Sequence, residues 1–154
     1  MILQIYTDGG SKGNPGPSSI GGVFYLDRKR IFDFKKSIGI ATNNDAEYHA
    51  LIRALEIINP KSKVPNGSTS SPSRVKLRDK FQIQNFQMIK KIEFYSDSRL
   101  MVNQVKGLFK VKNGKIKEYV FKIRSLEQEI KIPIFYYLVP REQNQEADRL
   151  VNLV

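Results

Sequence analysis

The sequence predicts an α/β fold in which a mixed five-stranded sheet, an antiparallel meander followed by parallel strands, is flanked by helices. The chain has 154 residues, about the length of one domain, and 40% of them are apolar, enough for one sizeable core. The predicted elements follow the order β-β-β-α-β-α-α-β-α, so three successive strands precede strands that are joined through helices. We therefore expect a single domain over residues 1–154.

Three runs of apolar and β-prone residues in the first part of the chain predict strands. They are residues 1–7, 20–26 and 31–38. The first connection is rich in Gly, Asn and Pro, and the second is a short polar stretch that suits a hairpin. From Ala46 the apolar residues follow helical spacing until Pro60, and residues 42–45 offer N-cap side chains.

The second part of the chain follows a basic segment at about 60–90 that begins with a stretch rich in Pro, Ser and Gly. That stretch has the composition of a surface loop. The later elements are predicted from apolar period and turn residues. They are a strand at 91–97, helices at about 100–107 and 115–131, a strand at 132–139 and a final helix from about 144.

Four acids occupy the ends of predicted elements. Asp8 and Asp97 end strands, whereas Glu47 and Asp148 lie in helices. Clustered carboxylates repel one another, and a hard divalent cation with oxygen ligands is a common way to neutralise them. Two such ions, roughly 4 Å apart, suit phosphoryl transfer. Taken singly, Glu47 and Asp148 could instead be ordinary helix-start residues, and Asp8 and Asp97 could be turn formers.

The segments around these acids resemble the ribonuclease H family. Residues 6–17, YTDGGSKGNPGP, are similar to its first motif, and residues 42–48, TNNDAEY, to its second. Residues 95–98, YSDS, match its third motif, and residues 139–150, VPREQNQEADRL, match its fourth. Residues 102–113 resemble the archaeal and plant-like type 1 branch, which lacks a basic protrusion between these helices.

This resemblance implies a ribonuclease H-like fold and cleavage of the RNA strand of an RNA/DNA hybrid. Asp8, Glu47, Asp97 and Asp148 would be catalytic and would bind Mg²⁺, with two ions expected and Mn²⁺ able to substitute. Water would be the nucleophile, and the products would carry 5′-phosphate and 3′-hydroxyl ends.

The resemblance also implies contacts with the substrate. Amide side chains suit 2′-hydroxyl groups because both carry donors and acceptors, although the Gly-Asn-Pro-Gly sequence around Asn14 also makes a good turn. Groups of the first two motifs would contact the RNA strand or, for Thr42, a DNA phosphate, and basic residues would approach phosphates. The predicted contacts are Gly9, Gly10, Asn14, Thr42, Asn43, Asn44, Lys106, Lys110, Lys112 and Arg141.

The chain departs from the family in the loop before the last acid, where many members have a histidine. Residues 138–145 contain none, and Arg141 is the candidate substitute, as a cation beside the leaving phosphate or as a solvent-facing charge. The single histidine, His49, lies two residues after Glu47 and is expected to point away from it. Only six residues follow Asp148, so we expect its helix to be loosely held without metal.

The charge is strongly positive and localised. Lys and Arg number 26 against 15 acids, a formal net charge of +11. Residues 60–91 carry net +7 and residues 106–131 net +5, so these two segments account for the surplus. This pattern favours a polyanionic partner, although charges on a helix or loop are also ordinary solvated surface. Apolar residues within 81–89 could dock the basic segment on the core or stack on bases.

The composition excludes other classes. Without Cys the chain has no disulfide framework, no thiol nucleophile and no Cys-based zinc site. No apolar run approaches the roughly 18 residues that span a bilayer, so we expect a soluble, cytoplasmic monomer with no membrane partner. Two alternatives remain open. One is a non-catalytic module that binds hybrid or double-stranded RNA, and the other is a ribonuclease H-like nuclease that cuts double-stranded RNA.

Overall fold

The computed structural model describes residues 1–61 and 86–154. Within these residues the strands are β1 (Ile2–Ser11), β2 (Gly16–Leu26), β3 (Lys29–Ala41), β4 (Lys91–Ser96) and β5 (Ile134–Leu138). The helices are α1 (Asn43–Ile58), α2 (Arg99–Val105), α3 (Gly114–Ile130) and α4 (Gln145–Asn152), with 3₁₀ turns at Phe86–Met88 and Arg141–Gln143. In the described part of the chain, no helix has the length and apolar character needed to cross a bilayer.

The five strands form one mixed sheet in the order β3-β2-β1-β4-β5. Strand β2 pairs antiparallel with both β1 and β3, which is the predicted meander. Strand β4 pairs parallel with β1 and with β5. The predicted α/β class and mixed sheet are therefore confirmed.

The first two strands extend further than their predicted bounds. The β1–β2 ladder continues through Gly9 and Gly10 to the pair Ser11–Ser18, which leaves a loop of residues 12–15. Glycines that read as turn residues in the sequence are thus held in the sheet by pairing across the ladder. The β2–β3 connection is a tight turn in which Asp27 and Arg28 adopt positive φ angles of 46° and 72°.

Helix α1 forms the centre of the core on one face of the sheet. Its apolar side chains are buried against β1 and β2, and Thr42 closes a capping box with Asp45 at its N-terminus. Helix α3 runs alongside it in parallel. Asp45 is paired with Lys115 near the start of both helices, at 3.3 Å, and Asn59 donates to Glu129 near their ends, at 2.8 Å.

Helix α4 packs on the opposite face, against β1 and β2. The apolar spacing predicts that Ala147, Leu150, Val151 and Val154 face the sheet. The first three are buried, whereas Val154, which lies beyond the end of the helix, is exposed. Ser19 Oγ donates to the Val151 carbonyl at 2.8 Å, and an exposed ion pair of 2.7 Å joins Arg30 to Glu146. Contacts therefore hold both ends of this helix on the sheet, whereas the six residues after Asp148 predict a loosely held helix.

A row of tyrosines crosses the same face of the sheet beside α4. Tyr6 stacks on Tyr95 with ring centroids 4.7 Å apart, and Tyr95 stacks on Tyr137 at 5.4 Å. Tyr25 meets Tyr6 edge-on at 5.7 Å. The Tyr95 hydroxyl and the Gln4 amide both donate to Glu93 at 3.1 Å, so the row continues into a polar network.

Candidate active site

The sheet register brings Asp8 and Asp97 to adjacent positions. Tyr6 pairs with Tyr95 across the parallel strands β1 and β4. Because side chains alternate between faces with a period of two, the residues two further along each strand lie next to each other on the same face. These residues are Asp8 and Asp97, which lie at the carboxyl edge of the sheet, where ligands bind in many α/β folds.

Gly9 brings helix α1 close to this edge. A Cβ atom at this position would lie 2.3 Å from the backbone carbon and oxygen of Ala46, so only glycine permits the observed approach. The Gly9 backbone N–H lies near Glu47, which follows Ala46 on the helix, and acts to lower the pKa of its carboxyl group against the effect of burial. The contact between β1 and α1 thus places the Glu47 side chain beside Asp8.

Asp8, Glu47 and Asp97 form a compact carboxylate cluster. Each offers one oxygen, and these oxygens all lie within 4.8 Å of one another. Asp148 on α4 lines the same cleft, which encloses about 450 Å³, and its charge acts on both Asp8 and Asp97. The structure therefore brings all four predicted acids to one cleft, with Asp148 at the side of the cluster.

Burial and mutual repulsion oppose full ionisation of the cluster. Burial, together with the charge of Asp97, raises the pKa of Asp8 to about 7. The pKa of Glu47 is raised well above its usual value, first by burial and then by the charges of Asp8 and Asp97. Burial also raises the pKa of Asp97, while the Arg141 cation opposes that shift. Without a cation, a proton is retained between Asp8 and Glu47 near neutral pH.

The donor set fits a hard divalent cation. Oε2 of Glu47 is buried and has no hydrogen-bond partner among the described residues. An unpartnered, buried carboxylate oxygen in a cluster of acids is what Mg²⁺ or Mn²⁺ would satisfy, since these ions prefer oxygen ligands. Asp8, Glu47 and Asp97 are therefore the residues best placed to hold metal.

The first two motifs contact each other at one rim of the cleft. The Asn43 N–H donates to Asn14 Oδ1 at 2.9 Å, and the Ser11 N–H donates to Asn43 Oδ1 at 2.8 Å. In the described part of the chain, no residue accepts a hydrogen bond from either Nδ2 group. Asn44, Gly9 and Gly10 line the cleft. The acceptors of both amides thus hold the two loops together, while their donors are not used by any described residue.

The remaining predicted contacts differ in their relation to the cleft. Arg141 lies at its edge, with Nε 4.0 Å from Asp97 Oδ2 and 85% of its side chain exposed. The Thr42 hydroxyl accepts from the Asp45 N–H at 3.0 Å and so caps α1. The lysines, Lys106, Lys110 and Lys112, are exposed on the connection between α2 and α3 and do not line the cleft. These substrate contacts stay predictions.

His49 points away from the acids, as expected. Its Nε2 lies 3.3 Å from the Tyr119 hydroxyl, and its ring meets the Tyr119 ring at a steep angle.

Of the apolar residues in the basic segment, Phe81 and Ile83 lie outside the described part of the chain. Ile89 is buried in the core and Phe86 packs against it, so the end of the segment docks on the core as one of the two predictions has it, whereas Met88 is exposed.

Asn144 is a site residue that the sequence interpretation did not single out. Its Nδ2 donates to the carbonyl of Thr7 at 2.9 Å, and its amide also lowers the pKa of Asp97. Its own carbonyl accepts from the Asp148 N–H at 3.1 Å, and its side chain is buried. One residue thus braces the strand of Asp8, the carboxylate of Asp97 and the helix of Asp148. The sequence feature that could have identified Asn144 is its position in the fourth motif, four residues before Asp148.

Known proteins are similar to this chain along nearly its whole length. The family model described as RNase H matches residues 2–153. The bifunctional protein Rv2228c of Mycobacterium tuberculosis is 33% identical over 154 residues, which cover 99% of this chain and 35% of that protein. The chain therefore spans about a third of the length of the first curated relatives that it matches.

The solved structures that share this fold include two RNase H1 proteins. The crystal structure of LC11-RNase H1 in complex with RNA/DNA hybrid is 34% identical, has a TM-score of 0.77, and covers 99% of this chain and 95% of that one. RNase H1 from the halophilic archaeon Halobacterium salinarum is 29% identical with a TM-score of 0.75, covering 99% and 96% of the two chains.

Proposed function

Because the chain belongs to the ribonuclease H family, we propose that it is an endonuclease that cuts the RNA strand of RNA/DNA hybrids. The observation that carries this proposal is the carboxylate cluster, in which three acids lie within 4.8 Å and a buried oxygen of Glu47 has no described partner. The neighbouring LC11 structure, which contains an RNA/DNA hybrid, supports this substrate class.

Asp8, Glu47, Asp97 and Asp148 would hold two divalent ions, Mg²⁺ or Mn²⁺. When bound, these ions would neutralise the acids, activate water and stabilise charge on the scissile phosphate. Arg141, which is exposed at the edge of the cleft, would contact the leaving phosphate. Water would attack the scissile phosphorus in line and the P–O3′ bond would break, so that one product carries a 3′-hydroxyl and the other a 5′-phosphate.

The chain's own groups would select the RNA strand. The Nδ2 donors of Asn14 and Asn43, together with Asn44 and the backbone of Gly9 and Gly10, would read 2′-hydroxyl groups, which only RNA offers. Thr42 would contact a DNA phosphate. Lys106, Lys110 and Lys112 would follow the DNA strand and would make affinity depend on salt.

The decisive experiment is cleavage of an end-labelled RNA strand annealed to DNA or to RNA, with Mg²⁺, Mn²⁺ or EDTA. We expect the wild-type chain to cut the hybrid with either ion and to leave 5′-phosphate ends. Asp97→Asn should lose activity by a factor of at least about 10³, because the cluster loses one of its charges. Glu118→Gln, which changes an exposed acid on α3, is the matched control.

Three other results would change this conclusion. Hybrid binding without cutting, by a folded wild-type chain with either ion, would indicate a binding module. Preferential cutting of the RNA duplex would indicate a double-stranded RNA nuclease. Equal activity of Asp97→Asn and Glu118→Gln would show that the carboxylate cluster is not the active site.

A further inference from the structure

The connection between α2 and α3, residues 106–113, carries three exposed lysines, and we refer to it as the lysine loop. It begins with a compact turn, in which the N–H groups of Leu108 and Phe109 both donate to the Asn103 carbonyl. Gly107 adopts a φ of 79°, which favours glycine. The loop is therefore an ordered extension of α2, and its position depends on what holds its two ends.

The α2 end of the lysine loop is tied to α1 through Tyr48. This tyrosine is fully buried, directly follows Glu47, and donates its hydroxyl to Gln104 Oε1 at 2.7 Å. Gln104 lies two residues before Lys106. The Arg124 guanidinium on α3 also donates to the carbonyl of Val105, so α2 ends against both neighbouring helices.

The α3 end of the lysine loop is tied to the first turn of α1 through Asp45. The Tyr119 hydroxyl donates to Asp45 Oδ1 at 3.1 Å, and Lys115 Nζ donates to Oδ2 at 3.3 Å. Although burial alone would raise the pKa of Asp45, its hydrogen bonds with Thr42, Lys115 and Tyr119 lower it. The Tyr119 ring stacks on Tyr48 with centroids 5.4 Å apart, so the two ties share one aromatic contact.

Both ties end on the part of α1 that carries Asn43 and Asn44. A protein that contacts both strands of a duplex needs its two sets of contacting side chains at one particular distance from each other. Side chains that are already held at this distance lose less conformational entropy on binding. Neither Tyr48 nor Tyr119 lines the cleft. Any effect of their hydroxyl groups on substrate would therefore pass through the placement of other side chains.

We propose that Tyr48 and Tyr119 are positioning residues that fix the distance between the RNA-side amides of α1 and the DNA-side lysines of the lysine loop. The consequence is preference for a duplex with one RNA and one DNA strand. This inference deepens the proposed function and rests on it.

The test uses Tyr→Phe variants, which remove one hydroxyl and keep the ring. Tyr48→Phe, Tyr119→Phe and the double variant are compared with Tyr137→Phe, which changes an exposed tyrosine on the other face of the sheet. Affinity for hybrid and for RNA duplex is measured with Asp97→Asn added, so that binding is separated from cutting. KM and kcat are measured without it, and hydrogen exchange of residues 107–112 is followed without substrate.

We expect the double variant to bind hybrid about tenfold more weakly, since two hydrogen bonds are lost. KM should rise while kcat changes by less than about twofold. The salt dependence of binding and the preference for hybrid over RNA duplex should both fall, and amides of the lysine loop should exchange faster. Tyr137→Phe should match the parent chain in every measurement.

A second pair of variants guards against loss of folding in the buried Tyr48→Phe. Lys115→Gln breaks the exposed half of the α3 tie, and Lys117→Gln makes the same charge change on an exposed residue of that helix. Lys115→Gln should weaken hybrid binding more than Lys117→Gln does.

The inference would be overturned if the folded double variant Tyr48→Phe/Tyr119→Phe kept the wild-type affinity for hybrid and the wild-type rate of hydrogen exchange in the lysine loop. A fall in kcat at unchanged KM would also overturn it, because the tyrosines would then act through Glu47. A wild-type chain that binds hybrid but does not cut it would refute the proposed nuclease activity alone. A folded wild-type chain that neither binds nor cuts hybrid would refute both.

Discussion

At the scale of single residues, the carboxyl group of Asp8 links the stability of the protein to pH. Its pKa is about 7 in the folded chain, against an ordinary value of 3.8, because the group is buried beside other acids. The folded state therefore binds more protons than the unfolded state between these two values. The stability from this protonation is complete below about pH 4 and is lost as the pH rises through 7.

We predict that Asp8→Asn makes the metal-free protein more stable at pH 8 by about 1–3 kcal/mol, while abolishing activity. Urea unfolding in EDTA at pH 5 and pH 8 measures this effect, with Glu118→Gln as the control. Added Mg²⁺ should stabilise the wild-type chain more than the variant. This account would be contradicted if raising the pH from 5 to 8 changed the free energy of unfolding of the wild-type chain and of the variant by the same amount.

Asn144 is the second residue whose removal has a defined cost. Asn144→Ala should leave the Thr7 carbonyl without its donor and loosen the start of α4, which costs about 1–3 kcal/mol. Activity should fall with it, since Asp97 loses a hydrogen bond that favours its ionised form. Chemical denaturation and kcat are the measurements. Gln145→Ala, the exposed neighbouring amide, should change neither, and equal effects of the two substitutions would rule out the bracing role.

At the scale of elements, the site depends on how closely α1 approaches β1. We predict that Gly9→Ala costs about 2–3 kcal/mol and reduces activity severely, because the new methyl group would overlap the Ala46 carbonyl and displace Glu47. Thermal unfolding and hybrid cleavage report the two effects. Gly114→Ala, at the start of α3 with no atom within 4 Å of the new methyl group, should be neutral or stabilising. Similar losses in both variants would argue against the close approach as the cause.

The elements also show what the sequence can and cannot reveal. The apolar periods around Tyr48 and Ile123 predicted α1 and α3 because each helix buries one side, which leaves a regular pattern in the chain. The extension of β1 through Gly9 and Gly10 was not predictable, because their conformation is set by pairing with β2 rather than by local preference.

The candidate site was also predictable only in part. The four acids were found because each lies in a motif at the end of an element. The brace by Asn144 and the ties of Tyr48 and Tyr119 join residues far apart in the chain, and each of these residues reads alone as an ordinary cap or core residue. Side chains that are distant in the sequence are brought together by the strand register and by helix packing. The spacing of residues along the chain carries no information about either.

At the scale of the whole molecule, charge is separated, with acids in the cleft and lysines beside it. We predict that replacing Lys106, Lys110 and Lys112 with Gln reduces the slope of log affinity against log salt by about three, since each lysine would release about one counterion. Titration of hybrid against the Asp97→Asn chain at several salt concentrations measures the slope. The same change at Lys29, Lys35 and Lys36, exposed on β3, should leave the slope unaltered, and an equal reduction would indicate diffuse attraction.

The stacked pair of Tyr6 and Tyr95 gives the molecule an optical property of its own. The sequence contains no tryptophan, so tyrosine dominates its near-ultraviolet absorption and emission. The two rings lie 4.7 Å apart and nearly parallel, each two residues before an acid of the cluster. Circular dichroism near 280 nm, a roughly tyrosine-specific window in such a protein, therefore registers side-chain packing directly behind the cleft without an added label.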